Sequence, residues 1–204
     1  MDTTEIEKYL EAGKNDKNWY QECEKTLVEI FGQNQLKIVT KIFAATSINT
    51  SLKANVTLFK RAYNEYLNDL PIGNYLPNIQ KQLLQVREGL PLTGPKINAF
   101  ANAMSGDPDA VVVDIWLLRA FKMNRRYYRK GSDSVREGGA TKKQFRDIES
   151  WVRTEALKRG IQPREMSAMI WSGIRQIKGG DTQTRYTDIL RAEYINSLFP
   201  YQQI

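Results

Sequence analysis

Apolar side chains recur at helical spacing along most of this chain. Trp19, Cys23, Leu27, Ile30 and Phe31 share one stripe, with Gly32 as a stop. Leu36, Val39, Ile42 and Phe43 form a second, broken by the polar run 46–51, where Asn49 or Thr50 can cap the next helix. Leu52, Val56, Phe59, Tyr63 and Tyr66 make a third, which ends before Pro71. Pro77 suits a first helical position, with Ile79, Leu83 and Val86 on one face. Thr141 and Gln144 read as a capping box opening a helix whose inward face is Phe145, Ile148, Val152 and Ala156, and Gly160 ends it. Pro163 opens another, carrying Met166, Met169, Ile170, Gly173 and Ile177 and closed by Gly179-Gly180.

The only strand-like run, Ala110–Val113, is four residues long and too short to imply a sheet. Gly131–Ala140, rich in Gly and Ser, reads as a loop. The pattern predicts an all-α fold.

Composition narrows the chemistry. The chain has 204 residues, enough for one large domain or two small lobes sharing a cleft. It contains no histidine and a single cysteine, Cys23. Ser-His and Cys-His nucleophile pairs are therefore excluded, as are an internal disulfide framework, a thiolate metal cluster and the usual zinc sites. Any nucleophile or base must come from Asp, Glu, Lys, Tyr or an unassisted hydroxyl. A net charge of +7, from 30 basic and 23 acidic residues, favours a polyanionic partner. Met1–Glu5 is acidic and lacks a signal-peptide core, and no apolar run is long enough to span a bilayer. The expected setting is soluble and cytoplasmic, with no membrane partner.

Candidate chemistry concentrates in residues 89–121. Pro91 to Gly94 reads as a tight connection between two helices, and Gly94-Pro95 fixes the start of the second. Free N–H groups at that helix start form a ready phosphate site. Lys96 sits in the first turn, where the helix dipole repels a cation and so favours the neutral, nucleophilic amine. Asp114 follows three valines and precedes the amphipathic run Ile115–Phe121, the place of an N-cap held ionised by backbone N–H groups.

These residues resemble the helix-hairpin-helix (HhH-GPD) DNA glycosylases, the superfamily of endonuclease III and the oxoguanine glycosylases. Leu90-Pro91-Leu92-Thr93-Gly94-Pro95-Lys96 is similar to that family's hairpin and its lysine, and Val112-Val113-Asp114 to its aspartate segment. Asp114 lies eighteen positions after Lys96, as in the endonuclease III arrangement. The resemblance implies a single glycosylase domain over 1–204, with a helix-hairpin-helix core at about 77–122 and the remaining helices forming a second lobe. It implies that a nucleotide is flipped from duplex DNA, that neutral Lys96 attacks the sugar C1′ to leave a Schiff base, and that Asp114 assists.

Leu92, Thr93 and Gly94 would then meet the DNA backbone. Thr46 and Asn49 would do so from the turn after the second stripe, which looks like the family's minor-groove probe. Phe100 and Trp116 are base-pocket candidates. Arg125, Arg126, Arg129 and Lys130, interleaved with Tyr127 and Tyr128, suit a strand backbone. Arg175 and Lys178 are further phosphate candidates, and Trp151 and Trp171 read as core. The endonuclease III Cys-rich tail is missing, so no iron–sulfur cluster is expected; a structural monovalent or divalent cation at the hairpin remains compatible. A monomer acting on nucleoid or viral DNA is expected.

Leu92 stands where the family has its first hairpin glycine, and Trp116 where many relatives have histidine. Two rivals therefore stay open. One is a virus-type enzyme that remodels modified bases on the same scaffold; the other is a DNA-binding module in which Lys96 only contacts phosphate.

Overall fold

The computed structural model describes residues 3–128 and 135–194. It is all-α in character, with ten α-helices among the described residues and one pair of three-residue strands. The chain divides into two compact units, each made of two segments. One comprises Met1–Tyr20 and Asp107–Thr182, the other Gln21–Gly106 and Gln183–Ile204. Of the expected helix-hairpin-helix core, residues 77–106 belong to the second of these units and residues 107–122 to the first.

The second unit is organised around α3 (Leu36–Thr46), which packs against α4 (Leu52–Leu67), α5 (Pro77–Arg87) and α6 (Pro95–Met104). Eight of the eleven α3 residues are buried, which is why this helix can hold three neighbours. An aromatic cluster fills the space beside it: Phe43 meets Phe59 edge-on at 5.1 Å and Tyr186 at 4.7 Å. Each fully buried ring of this kind contributes about 1.5–3 kcal/mol by leaving water. Tyr186 lies on α10 (Tyr186–Tyr194), which packs on α4. Ser51 caps α4 by accepting from Ala54 N (3.2 Å), so neither predicted cap serves. Asn49 instead takes a left-handed conformation (φ 55°), and the Thr50 hydroxyl donates back to the Thr46 carbonyl.

In the first unit α9 (Pro163–Ile177) is central and packs against α1 (Ile6–Ala12), α7 (Ile115–Ala120) and α8 (Lys142–Arg159). Two glycines let α1 and α9 approach. A methyl group on Gly13 would overlap the Met169 carbonyl, and one on Gly173 the Tyr9 carbonyl. The capping box Thr141/Gln144 is present, and Gly160 ends α8 in the left-handed region (φ 63°), as the sequence predicts.

Ala110–Val113 is not a strand but a buried connection, tied by Val112 N donating to Ser167 Oγ (3.2 Å). The strands occur instead at β1 (Arg126–Tyr128) and β2 (Val135–Glu137), antiparallel with Tyr127 opposite Arg136. Of the expected loop, Gly131–Ser134 lies outside the described residues. Among the described residues no helix is long and apolar enough to cross a membrane.

Candidate functional site

The hairpin between α5 and α6 is built from the helix ends inward. At the close of α5, Gly89 turns left-handed (φ 71°), and Gly89 N and Leu90 N donate to the carbonyls of Val86 (3.2 Å) and Gln85 (2.8 Å). Gln82 then grips Thr93 from both sides, donating through Nε2 to its carbonyl (3.2 Å) and accepting from its N–H (2.8 Å). Asn98 does the same work from α6, its Nδ2 donating to the carbonyls of Leu92 (2.6 Å) and Gly94 (2.9 Å). Leu92 is buried, so its side chain anchors the turn rather than facing a ligand, and only its backbone remains at issue for DNA.

Gly94 N-caps α6 at φ 102°, a conformation reserved for glycine, and offers no side chain to the first-turn N–H groups. Thr93 and Gly94 are exposed, and Lys96 is half-buried with its ammonium 6.0 Å from the Phe100 ring centroid. The carbonyls of Leu92, Thr93 and Gly94 all carry N–H donors from Gln82 or Asn98. Each of these oxygens keeps a second lone pair beyond the amide hydrogen bond it accepts.

Two expected ligand-facing residues of this unit are core. Phe100 is buried beside Phe43 (6.3 Å) and Tyr186 (6.4 Å), so it is no base platform here. Thr46 is fully buried, and its hydroxyl lies within donating reach of the Ile42 carbonyl (3.0 Å) and Asn55 Oδ1 (2.7 Å). Asn55 in turn donates to the Tyr186 hydroxyl at 2.9 Å. The last turn of α3 faces inward, so Thr46 closes a polar network instead of probing a groove. Asn49 is exposed. Cys23 is buried, and burial pushes its thiol up, which removes it as a nucleophile.

In the other unit Asp114 caps α7 as expected. Its Oδ1 accepts from Trp116 N (2.8 Å) and Leu117 N (3.1 Å). Its Oδ2 accepts from the indole Nε1 of Trp171, at 3.0 Å. Three donors of this kind favour the ionised carboxylate and fix the plane of the group. Trp171, expected as plain core, is thus part of the site. No spacing signal reveals it, because it lies on α9, far along the chain from Asp114.

Trp116 is half-buried, with the Arg119 guanidinium 4.4 Å from its ring centroid. Arg119 continues to Glu137 (Nε to Oε2, 2.7 Å), which also accepts from Asn124 at 3.0 Å. Burial works against that charge, yet the bonds from Arg119 and Asn124 hold Glu137 below the usual carboxylate range. Arg126 is exposed on β1 and Arg125 is exposed just before it, while Arg129 and Lys130 lie outside the described residues. Arg175 is buried and stacked on Trp171, so it is not a surface phosphate contact; Lys178 is exposed.

The structure thus gathers Asp114, Trp116, Arg119 and Trp171 in one unit. It gathers Thr93, Gly94, Lys96 and their amide clamps in the other. Among the described residues no cluster of three or more Cys, Asp or Glu side chains is arranged for a metal ion.

The family model described as "Family of unknown function (DUF7178)" matches residues 6–178. No curated protein and no solved structure matches the chain.

Proposed function

We propose, for a chain that belongs to the DUF7178 family, a DNA glycosylase with associated abasic-site lyase activity. The observation that supports this most is the turn at residues 88–94. Its last glycine starts the helix bearing Lys96 and leaves that helix's first N–H groups without a side-chain cap. First-turn N–H groups with a helix dipole behind them suit a DNA phosphate, and they would place Lys96 one step from the strand they hold.

In this reading the target nucleotide leaves the base stack. The Lys96 amine donates its lone pair to C1′, the bond from C1′ to the base nitrogen breaks, and the base departs with that electron pair. Loss of a proton from Lys96 and opening of the sugar ring give a Schiff base. Removal of a C2′ proton then expels the 3′ phosphate and cuts the strand. Asp114, held ionised by three donors, stabilises the positive charge that grows on the sugar. Trp116, Asn49, Arg125 and Arg126 are the remaining DNA-facing candidates, and the substrate is double-stranded DNA.

Borohydride trapping tests the reading. The protein is incubated with abasic-site duplex and borohydride beside Lys96→Ala and Asp114→Asn. A covalent adduct that disappears in Lys96→Ala supports it. Tight duplex binding without any adduct in the wild type overturns it in favour of a binding module. Release of free base, scored across a panel of damaged and modified bases, separates excision from remodelling.

A further inference from the structure

We infer that Trp171, backed by Arg175, is a positioning residue for the Asp114 carboxylate; the inference rests on the catalytic role proposed for Asp114. An N-cap aspartate needs only one oxygen to satisfy its helix, and Asp114 does this with Oδ1. The bond from Trp171 to Oδ2 is surplus to capping. It comes from a different helix and fixes the turn of the carboxylate about its own axis.

The indole that makes this bond is itself clamped. The Arg175 guanidinium lies 4.1 Å from the Trp171 ring centroid. The Trp19 ring packs on it at 5.2 Å, inclined at 49°. Arg175 is buried, and its guanidinium also donates to the Asp181 carbonyl, so the cation is held where it is. A cation on the face of an indole draws electron density from the ring and makes the rim N–H a stronger donor. A stronger donor to a carboxylate favours its charged form. The buried charge of Arg175 therefore acts on Asp114 through Trp171.

Trp171→Phe is the informative variant, because it keeps an aromatic ring beside Arg175 and Trp19 and removes the N–H. Isotope-labelled aspartate, followed by NMR through a pH titration and assigned with Asp114→Asn, reads the carboxylate in the full chain without any reaction. The Asp114 titration midpoint moves upward in Trp171→Phe, and by a smaller step in Arg175→Gln, which leaves the indole in place. A midpoint that stays put in folded Trp171→Phe overturns the inference, whatever the protein does to DNA. On abasic duplex, Trp171→Phe slows trapping about tenfold at unchanged duplex affinity. A moved midpoint with no trapping in the wild type sinks the glycosylase reading and leaves the positioning role standing.

Discussion

Gln82 and Thr93 form a reciprocal pair, a side-chain amide matched to a backbone peptide through both its donor and its acceptor. Gln82 is buried and Thr93 is exposed, so the pair ties an outer turn to the inside of the unit. Gln82→Leu leaves the Thr93 N–H and carbonyl without those partners, at a cost of about 1–3 kcal/mol. Urea unfolding followed by circular dichroism checks this, and duplex affinity falls alongside if the turn meets the backbone. An unchanged unfolding midpoint contradicts the pairing.

Gly94 makes a different prediction. Nothing lies within 4 Å of the space a methyl group would take, so Gly94→Ala meets no clash. Its cost is conformational, because φ 102° is disfavoured for any residue with a Cβ, and is about 1–3 kcal/mol. The expected outcome is a lower unfolding midpoint together with weaker duplex binding as measured by fluorescence anisotropy. Full binding with reduced stability would remove the turn from the DNA interface.

Gly173→Ala tests packing in the other unit. The added methyl group collides with the Tyr9 backbone, which cannot yield as a flexible side chain can. Overpacking of a tight site costs about 1–3 kcal/mol and more where backbone must move. We expect a marked fall in thermal unfolding temperature, whereas Gly179→Ala, with open space around it, changes stability through backbone strain alone.

Alkaline pH should destabilise the fold. Burial, aided by donation to Glu5, raises the Tyr9 hydroxyl to about 12. Burial also raises Tyr75 to about 12, with Arg61 opposing the shift and Glu65 adding to it. An unfolded phenol titrates near 10.0, so the folded state holds these protons more tightly. Their contribution is complete below pH 10 and disappears as pH climbs towards 12. Denaturant unfolding across that window gives a falling free energy, and the double variant Tyr9→Phe with Tyr75→Phe flattens the slope. A wild-type curve flat to pH 12 is incompatible with the shifts.

Periodicity and capping made much of this fold legible in the sequence. The stripes of α3, α4, α8 and α9 and the caps Asp114 and Thr141 are local statements, and local chemistry decides them. Thr46 misleads because its hydroxyl is polar while its position on α3 points inward; only Asn55, on the next helix, reveals the burial. Phe100 lies one helical turn beyond Lys96, which fits a ligand face and a core face equally until Phe43 and Tyr186 are placed. β1 and β2 are three residues each, too short for alternation to register, and Arg126 reads as a charge before it reads as a strand. Trp171 is hidden for the opposite reason: its stripe is clear, but its one polar atom answers to a residue on another helix.

The two-segment make-up of each unit has a consequence during synthesis on the ribosome. Helix α1 is made long before α9, against which it packs and which begins only at Pro163. The unit around α3 likewise lacks Tyr186 and Leu190, both buried, until α10 is made. Neither unit can finish folding until its second segment has been made. In that interval Ile6, Tyr9 and Leu10 of nascent α1 lack the α9 face that covers them in the folded unit.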